Sequence, residues 1–175
     1  RTFTGKIGIE EYTAPEVVNC TFDGELTQGA EYTNGQYTYR YMQEGYHGSY
    51  GFFDWKNIET EGWGVRVNAL REDITSKLCT YINDKPIVST SLMIYNNYIK
   101  SIDISSYNTK NIINMSNMFE YGNLSGVEGE LSFKLDLSGF NTSNVTNMGG
   151  MFYGIPGDEL KGLNFFDTSN VTDMS

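Results

Sequence analysis

The segment Asn144-Val145-Thr146-Asn147-Met148 returns as Asn170-Val171-Thr172-Asp173-Met174, and Phe140-Asn141-Thr142-Ser143 returns as Phe166-Asp167-Thr168-Ser169, both at an offset of 26. A fixed period of about 20 to 50 residues marks a repeat architecture, in which each unit buries its apolar face only against its neighbours. One step back, Asn111-Ile112-Ile113-Asn114-Met115-Ser116-Asn117-Met118-Phe119 aligns with Asn144 to Phe152 at an offset of 33, which implies a seven-residue insertion. The surplus is placed in the Gly-rich, acidic stretch 125–130, because insertions in stacked repeats go to loops on one face. Pro86 to Asn111 is again one period. The array is therefore expected to hold three units, 86–111, 112–144 and 145–170, and the opening of a fourth.

Within a unit, Ile102 and Ile104, then Leu135 and Leu137, alternate with Ser101, Asp103, Ser105 and with Asp136, Ser138. That period of two predicts a short, half-buried strand. Asn-Thr-Ser-Asn or Asp-Thr-Ser-Asn follows, residue types whose side chains bond their own backbone and set tight turns. Six of the seven methionines lie in the repeats. They are read as fillers of irregular core gaps rather than as a metal site.

Residues 1–85 are different: 14 of them are aromatic, including both tryptophans. Asn34-Gly35 stands between alternating aromatic runs and predicts a hairpin with a two-residue turn at that pair. Val17 to Phe22 and Gly64 to Val67 read as strands. Ile74, Leu78 and Ile82 recur every four residues behind acids, which predicts an amphipathic helix over about 72–83. Such a helix would cover the first repeat unit, so 1–85 is expected to be a small β-rich module with one capping helix, followed by the array at 86–175.

The run Leu135-Asp136-Leu137-Ser138-Gly139-Phe140-Asn141-Thr142-Ser143-Asn144-Val145-Thr146-Asn147-Met148, followed by Met151-Phe152-Tyr153, resembles the 26-residue leucine-rich-like repeat of BspA-like bacterial surface proteins. The resemblance covers residues 86–175 and implies a mainly β fold, a short parallel β-solenoid of the leucine-rich type, with cell-surface display and adhesion or recognition. The motif is imperfect where Ser89 takes the usual Met position and where Lys161-Gly162 stands for Leu-Asp. Residues 62–87 are also similar to the leader that precedes such arrays in gut bacterial and some phage-encoded proteins. The chain starts at Arg1 and stops inside a unit, and so is expected to be an excerpt of a longer protein.

Net charge is −10 and spreads over both halves. Phosphate binding needs clustered Lys and Arg, so nucleic acid is not an expected partner. No apolar run is long enough to span a bilayer as a helix, and no signal peptide is visible. Cys20 and Cys79 either pair or sit as two buried thiols; both occupy plausible core positions, which favours a disulfide. Six N-x-S/T sequons occur, most of them explained by the repeat itself.

Catalysis is not expected. His47 is the only histidine and sits in a Gly-rich aromatic loop, neither cysteine has a partner motif, and no phosphate loop, cofactor motif or metal spacing appears. Asp103, Asp136, Asp158 and Asp167 are read as turn-forming acids rather than calcium ligands. For binding, the loop 46–63 interleaves Tyr46, Tyr50, Phe52, Phe53, Trp55 and Trp63 with glycines. Tyr46, Tyr50 and Trp55 are the candidate ligand contacts, and Trp63 and Phe53 are assigned to the core. The expected function is extracellular recognition of a host or neighbouring-cell protein or glycan. The alternative is a structural part of an assembly of copies of itself, such as a surface filament or a phage virion fibre or decoration.

Overall fold

The computed structural model describes residues 15–45, 52, 60–95, 98–122, 134–155 and 159–175. The chain is mainly β. The ten strands among the described residues are β1 (Asn19–Cys20), β2 (Glu31–Asn34), β3 (Tyr37–Met42), β4 (Gly62–Val67), β5 (Asp73–Ile74), β6 (Tyr81–Ile82), β7 (Lys85–Ser89), β8 (Ser101–Ile102), β9 (Lys134–Asp136) and β10 (Glu159–Lys161). Among the described residues the only helical turn is a 3-10 turn at Leu163–Phe165.

Alternation builds the first sheet. Tyr37, Tyr39 and Tyr41 face inward from β3 while Thr38 and Arg40 face out, and the tyrosines sit opposite Val67, Val65 and Trp63 of β4. Trp63 is sealed from solvent, packs on Tyr41 and Phe22 at ring distances of 5.2 and 5.7 Å, and donates its indole N–H to Ile82 O at 3.2 Å. On the opposite face, Phe52 is buried with Met42 and Val88, and the Arg40 guanidinium stands 4.5 Å from its ring centre. The six strands run in the order β1-β6-β7-β4-β3-β2, with mixed pairing: β1 with β6 and β4 with β7 are parallel, and the other pairs antiparallel.

The β2–β3 turn falls one residue later than expected. Asn34 still pairs with Tyr37, so Gly35 and Gln36 make the turn. Asn34 is held in the strand by its side-chain amide, which lies 3.6 and 3.5 Å from the sulfurs of Cys20 and Cys79. Gly35 has φ +57°, and a Cβ there would come within 2.2 Å of Ser76 Oγ.

The expected helix at 72–83 does not form. The segment holds β5 and β6 instead, and its backbone groups find partners in other elements. The Gln36 side chain accepts from Thr75 N (2.8 Å) and Ser76 N (3.2 Å) and donates to Asp73 O (3.0 Å); Cys79 N donates to Tyr39 Oη (2.9 Å) and Thr80 N to Val18 O (2.8 Å). Ile74, Leu78 and Ile82 are buried, as their spacing suggested, but along an extended path rather than on one helix stripe. Thr75, Ser76, Cys79, Thr80 and Asn83 are all weak helix formers, so propensity offered no resistance.

The short parallel β-solenoid is likewise not what the chain builds. Among the described residues the largest sheet is the mixed six-stranded one; beside it stand two separate two-stranded parallel sheets, β5-β8 and β10-β9, and a row of single parallel bridges from unit to unit. Each unit commits its polar residues to turns, which leaves strands of only two or three residues. The units nevertheless meet in register. The Gly64–Ser89 pairing of β4 and β7 continues as parallel bridges from Ser89 to Asn114, Asn147 and Asp173. The ladder thus runs back past Pro86 into β4, and one apolar cluster extends from Tyr37 to Met151. Phe119 stacks on Phe152 at 5.6 Å and Phe140 on Phe166 at 6.4 Å.

Candidate binding surfaces

Of the residues singled out for ligand contact, Tyr46, Tyr50 and Trp55 lie outside the described residues, as do His47 and Phe53. Trp63 and Phe52, from the same aromatic loop, are buried.

Cys20 and Cys79 are bonded, with Cα atoms 5.8 Å apart. The bond joins β1 to the segment before β6, and three elements converge on it: Asn34 from β2, Tyr39 from β3, and Tyr107 from the first repeat unit, whose hydroxyl donates to Cys79 O at 3.5 Å. Burial pushes the phenols of Tyr37, Tyr39 and Tyr107 well above their usual range, so all three stay neutral at physiological pH. Tyr39 and Tyr107 act here as hydrogen-bonding core residues, while Tyr37 packs beside them.

The acids once weighed as metal ligands are spent on turns, one per unit. Asp103 Oδ1 accepts from Ser105 N at 3.0 Å, Asp136 Oδ1 from Ser138 N at 3.0 Å and Asp167 Oδ1 from Ser169 N at 3.0 Å. Those serine hydrogen bonds hold the Asp136 and Asp167 carboxyls below the ordinary range. Lys161, not Gly162, pairs with Asp136 across β9 and β10, and its Nζ lies 3.7 Å from Asp136 Oδ2. Asp158 lies outside the described residues. The sequon amides of Asn144 and Asn170 each donate to the preceding unit, to Lys110 O (2.8 Å) and Ser143 O (2.7 Å).

Two surface features remain. Tyr121 and Tyr153 stand edge to face, 5.3 Å between rings, 47% and 61% exposed. Tyr121 N donates to Tyr153 O at 2.9 Å, and a Cβ on Gly154 would meet the Tyr121 ring at 2.4 Å, so glycine at that place lets the ring lie flat over the chain. A side-chain hydrogen bond with Tyr153 raises the Tyr121 phenol. Sequence reasoning passed over this pair, although both tyrosines lie close behind a repeated Met-Phe, Tyr121 two residues after Phe119 and Tyr153 directly after Phe152. The second feature is a cleft of about 250 Å³ between Glu16, Tyr37, Ile74, Lys77, Asp103 and Tyr107. Its mouth is crossed by a 2.9 Å ion pair between Lys77 and Glu16.

A disulfide-bonded mixed sheet continued by in-register repeat units defines a repeat protein. The chain belongs to the family described as "Mycoplasma protein of unknown function, DUF285", whose model matches residues 72–175. That match begins at β5, the strand that pairs with β8 of the first unit. No curated protein and no solved structure matches the chain. No helix among the described residues is long and apolar enough to cross a membrane.

Proposed function

We propose that the chain is an extracellular, surface-displayed recognition or adhesion protein without catalytic activity, its stacked units acting as scaffold and binding surface. The observation that carries this is the Tyr121–Tyr153 pair. Two large rings left half in solvent on adjacent units, and held there by a backbone hydrogen bond, offer rigid amphipathic contact area of the kind that anchors proteins and stacks on sugars. The Cys20–Cys79 bond supports placement outside the cell, since disulfides persist in oxidising compartments. The likeness of the repeat motif to BspA-like surface proteins points the same way. The expected partner is a host or neighbouring-cell protein or glycan.

Arrays of matrix proteins and glycans test this directly. The wild-type chain should be retained on a defined subset of spots, and Tyr121→Ser/Tyr153→Ser should lose about tenfold in affinity while unfolding as before. Retention nowhere, or retention indifferent to the double substitution, sinks the proposal.

A second reading has its own observation. Leu163, Phe165 and Met174 are 40%, 64% and 66% exposed, more apolar surface than an isolated unit needs. If the chain is instead part of a filament or of a phage virion, light scattering should detect ordered oligomers at modest concentration without any ligand, and Phe165→Ser should abolish them.

A further inference from the structure

Tyr37 is 1% exposed and packs on Tyr39, yet among the described residues its hydroxyl has no hydrogen-bond partner. Its two neighbours differ: Tyr39 Oη accepts from Cys79 N and Tyr107 Oη donates to Cys79 O. Among the described residues no side-chain polar atom that is sealed from solvent lacks a partner, so the Tyr37 hydroxyl keeps an opening, and Tyr37 lines the 250 Å³ cleft. Open to the cleft, the hydroxyl offers an occupant one donor and acceptor sites that the described protein does not use.

The remainder of the cleft narrows what it can take. Asp103, which also lines the cleft, is fixed through Oδ1 by Ser105 N (3.0 Å) and Ser105 Oγ (2.6 Å), and among the described residues its other oxygen makes no hydrogen bond. Lys77 and Glu16 neutralise one another across the mouth, so Asp103 is the uncompensated charge and anions are repelled. Ile74 and the Tyr107 ring give an apolar side. The volume falls below the roughly 300–1,000 Å³ that holds drug-sized ligands, which limits the occupant to about one ring.

We propose that this cleft, at the junction of the first sheet and the first repeat unit, binds one neutral sugar ring. The Tyr37 hydroxyl and the free Asp103 oxygen take neighbouring sugar hydroxyls, and Ile74 and Tyr107 cover the C–H face. The site is separate from the Tyr121–Tyr153 pair and does not depend on the adhesion proposal.

Ligand-observed NMR and calorimetry on the intact chain, with a panel of methyl hexosides and N-acetylhexosaminides and the 6-phosphate of each hexose, provide the test. At least one neutral glycoside should bind with Kd of about 1 mM or tighter, and its phosphate at least about tenfold more weakly. Tyr37→Phe keeps the ring and removes a hydroxyl that no described residue bonds, so its thermal midpoint should match wild type while glycoside binding falls about tenfold. Asp103→Asn retains the turn acceptor and should weaken binding similarly, which keeps the test sharp if the first variant folds poorly. Tyr121→Ser/Tyr153→Ser should bind glycoside like wild type. Three results overturn the inference: no glycoside in the panel binds, Tyr37→Phe and Asp103→Asn bind undiminished, or the phosphates bind as tightly as the neutral sugars. Array retention that survives any of these leaves the adhesion proposal standing alone.

Discussion

A single side chain recurs through the repeats with one duty. Asn114, Asn147 and Asp173, the residues that bridge unit to unit, each turn the side-chain oxygen back onto the backbone two residues on, at 2.8, 2.9 and 3.1 Å. Asn147 is the most deeply buried of them. Asn147→Ala strands the Gly149 N–H away from water and should cost about 1–3 kcal/mol in urea unfolding. The exposed turn acids respond to pH. Asp136 and Asp167 titrate below 3.8 in the folded chain because serine hydrogen bonds favour their charged forms. A depressed folded pKa means the stability they add is complete at neutral pH and is lost as pH falls from about 3.8 through the folded value. Urea midpoints measured between about pH 5 and 3 should therefore decline, and the double Asp→Asn variant should decline less. The turns at Asp103, Asp136 and Asp167 were legible in the sequence, since Asx and Ser at fixed offsets carry their own mechanism. The turns and inter-unit bridges of Asn114 and Asn147 were not legible, because pairing partners 25 to 33 residues away leave no local trace.

At the scale of elements, the lesson lies in Gln36. One neutral side chain meets Asp73 O, Thr75 N and Ser76 N and so keeps residues 72–76 extended. The four-residue spacing of Ile74, Leu78 and Ile82 reported burial correctly and conformation wrongly. A period signal cannot say whether backbone donors will be met within the segment or across a turn 40 residues away. The hairpin was readable because Asn-Gly between aromatic alternations is a local signal; its one-residue shift came from the contact between Asn34 and the cysteine sulfurs, which is not local. Gly35→Ala tests the junction: a positive φ plus approaches of 2.2 and 2.9 Å to Ser76 Oγ and Cβ should lower stability by about 1–2 kcal/mol in urea unfolding, and an unchanged midpoint would show that the junction yields without cost.

In the whole molecule, the sheet and the repeats share one apolar interior, and the Cys20–Cys79 bond closes the part of the chain that starts it. Closing a loop across 59 residues stabilises by about 4 kcal/mol on the chain-entropy account. Cys20→Ser/Cys79→Ser, or wild type in reductant, should therefore melt well below the oxidised chain, and equal midpoints would show that packing alone holds β1 to β6. The same bond has a mechanical meaning. A protein displayed at a surface is pulled by what it holds, and the residues between Cys20 and Cys79 cannot be drawn out while the sulfurs remain joined. At about 3.3–3.6 Å per residue, those 59 steps withhold roughly 200 Å of contour length. Under load the oxidised chain behaves as a short tether and the reduced chain as a long one, so the redox state of its surroundings sets how far it can stretch before it lets go.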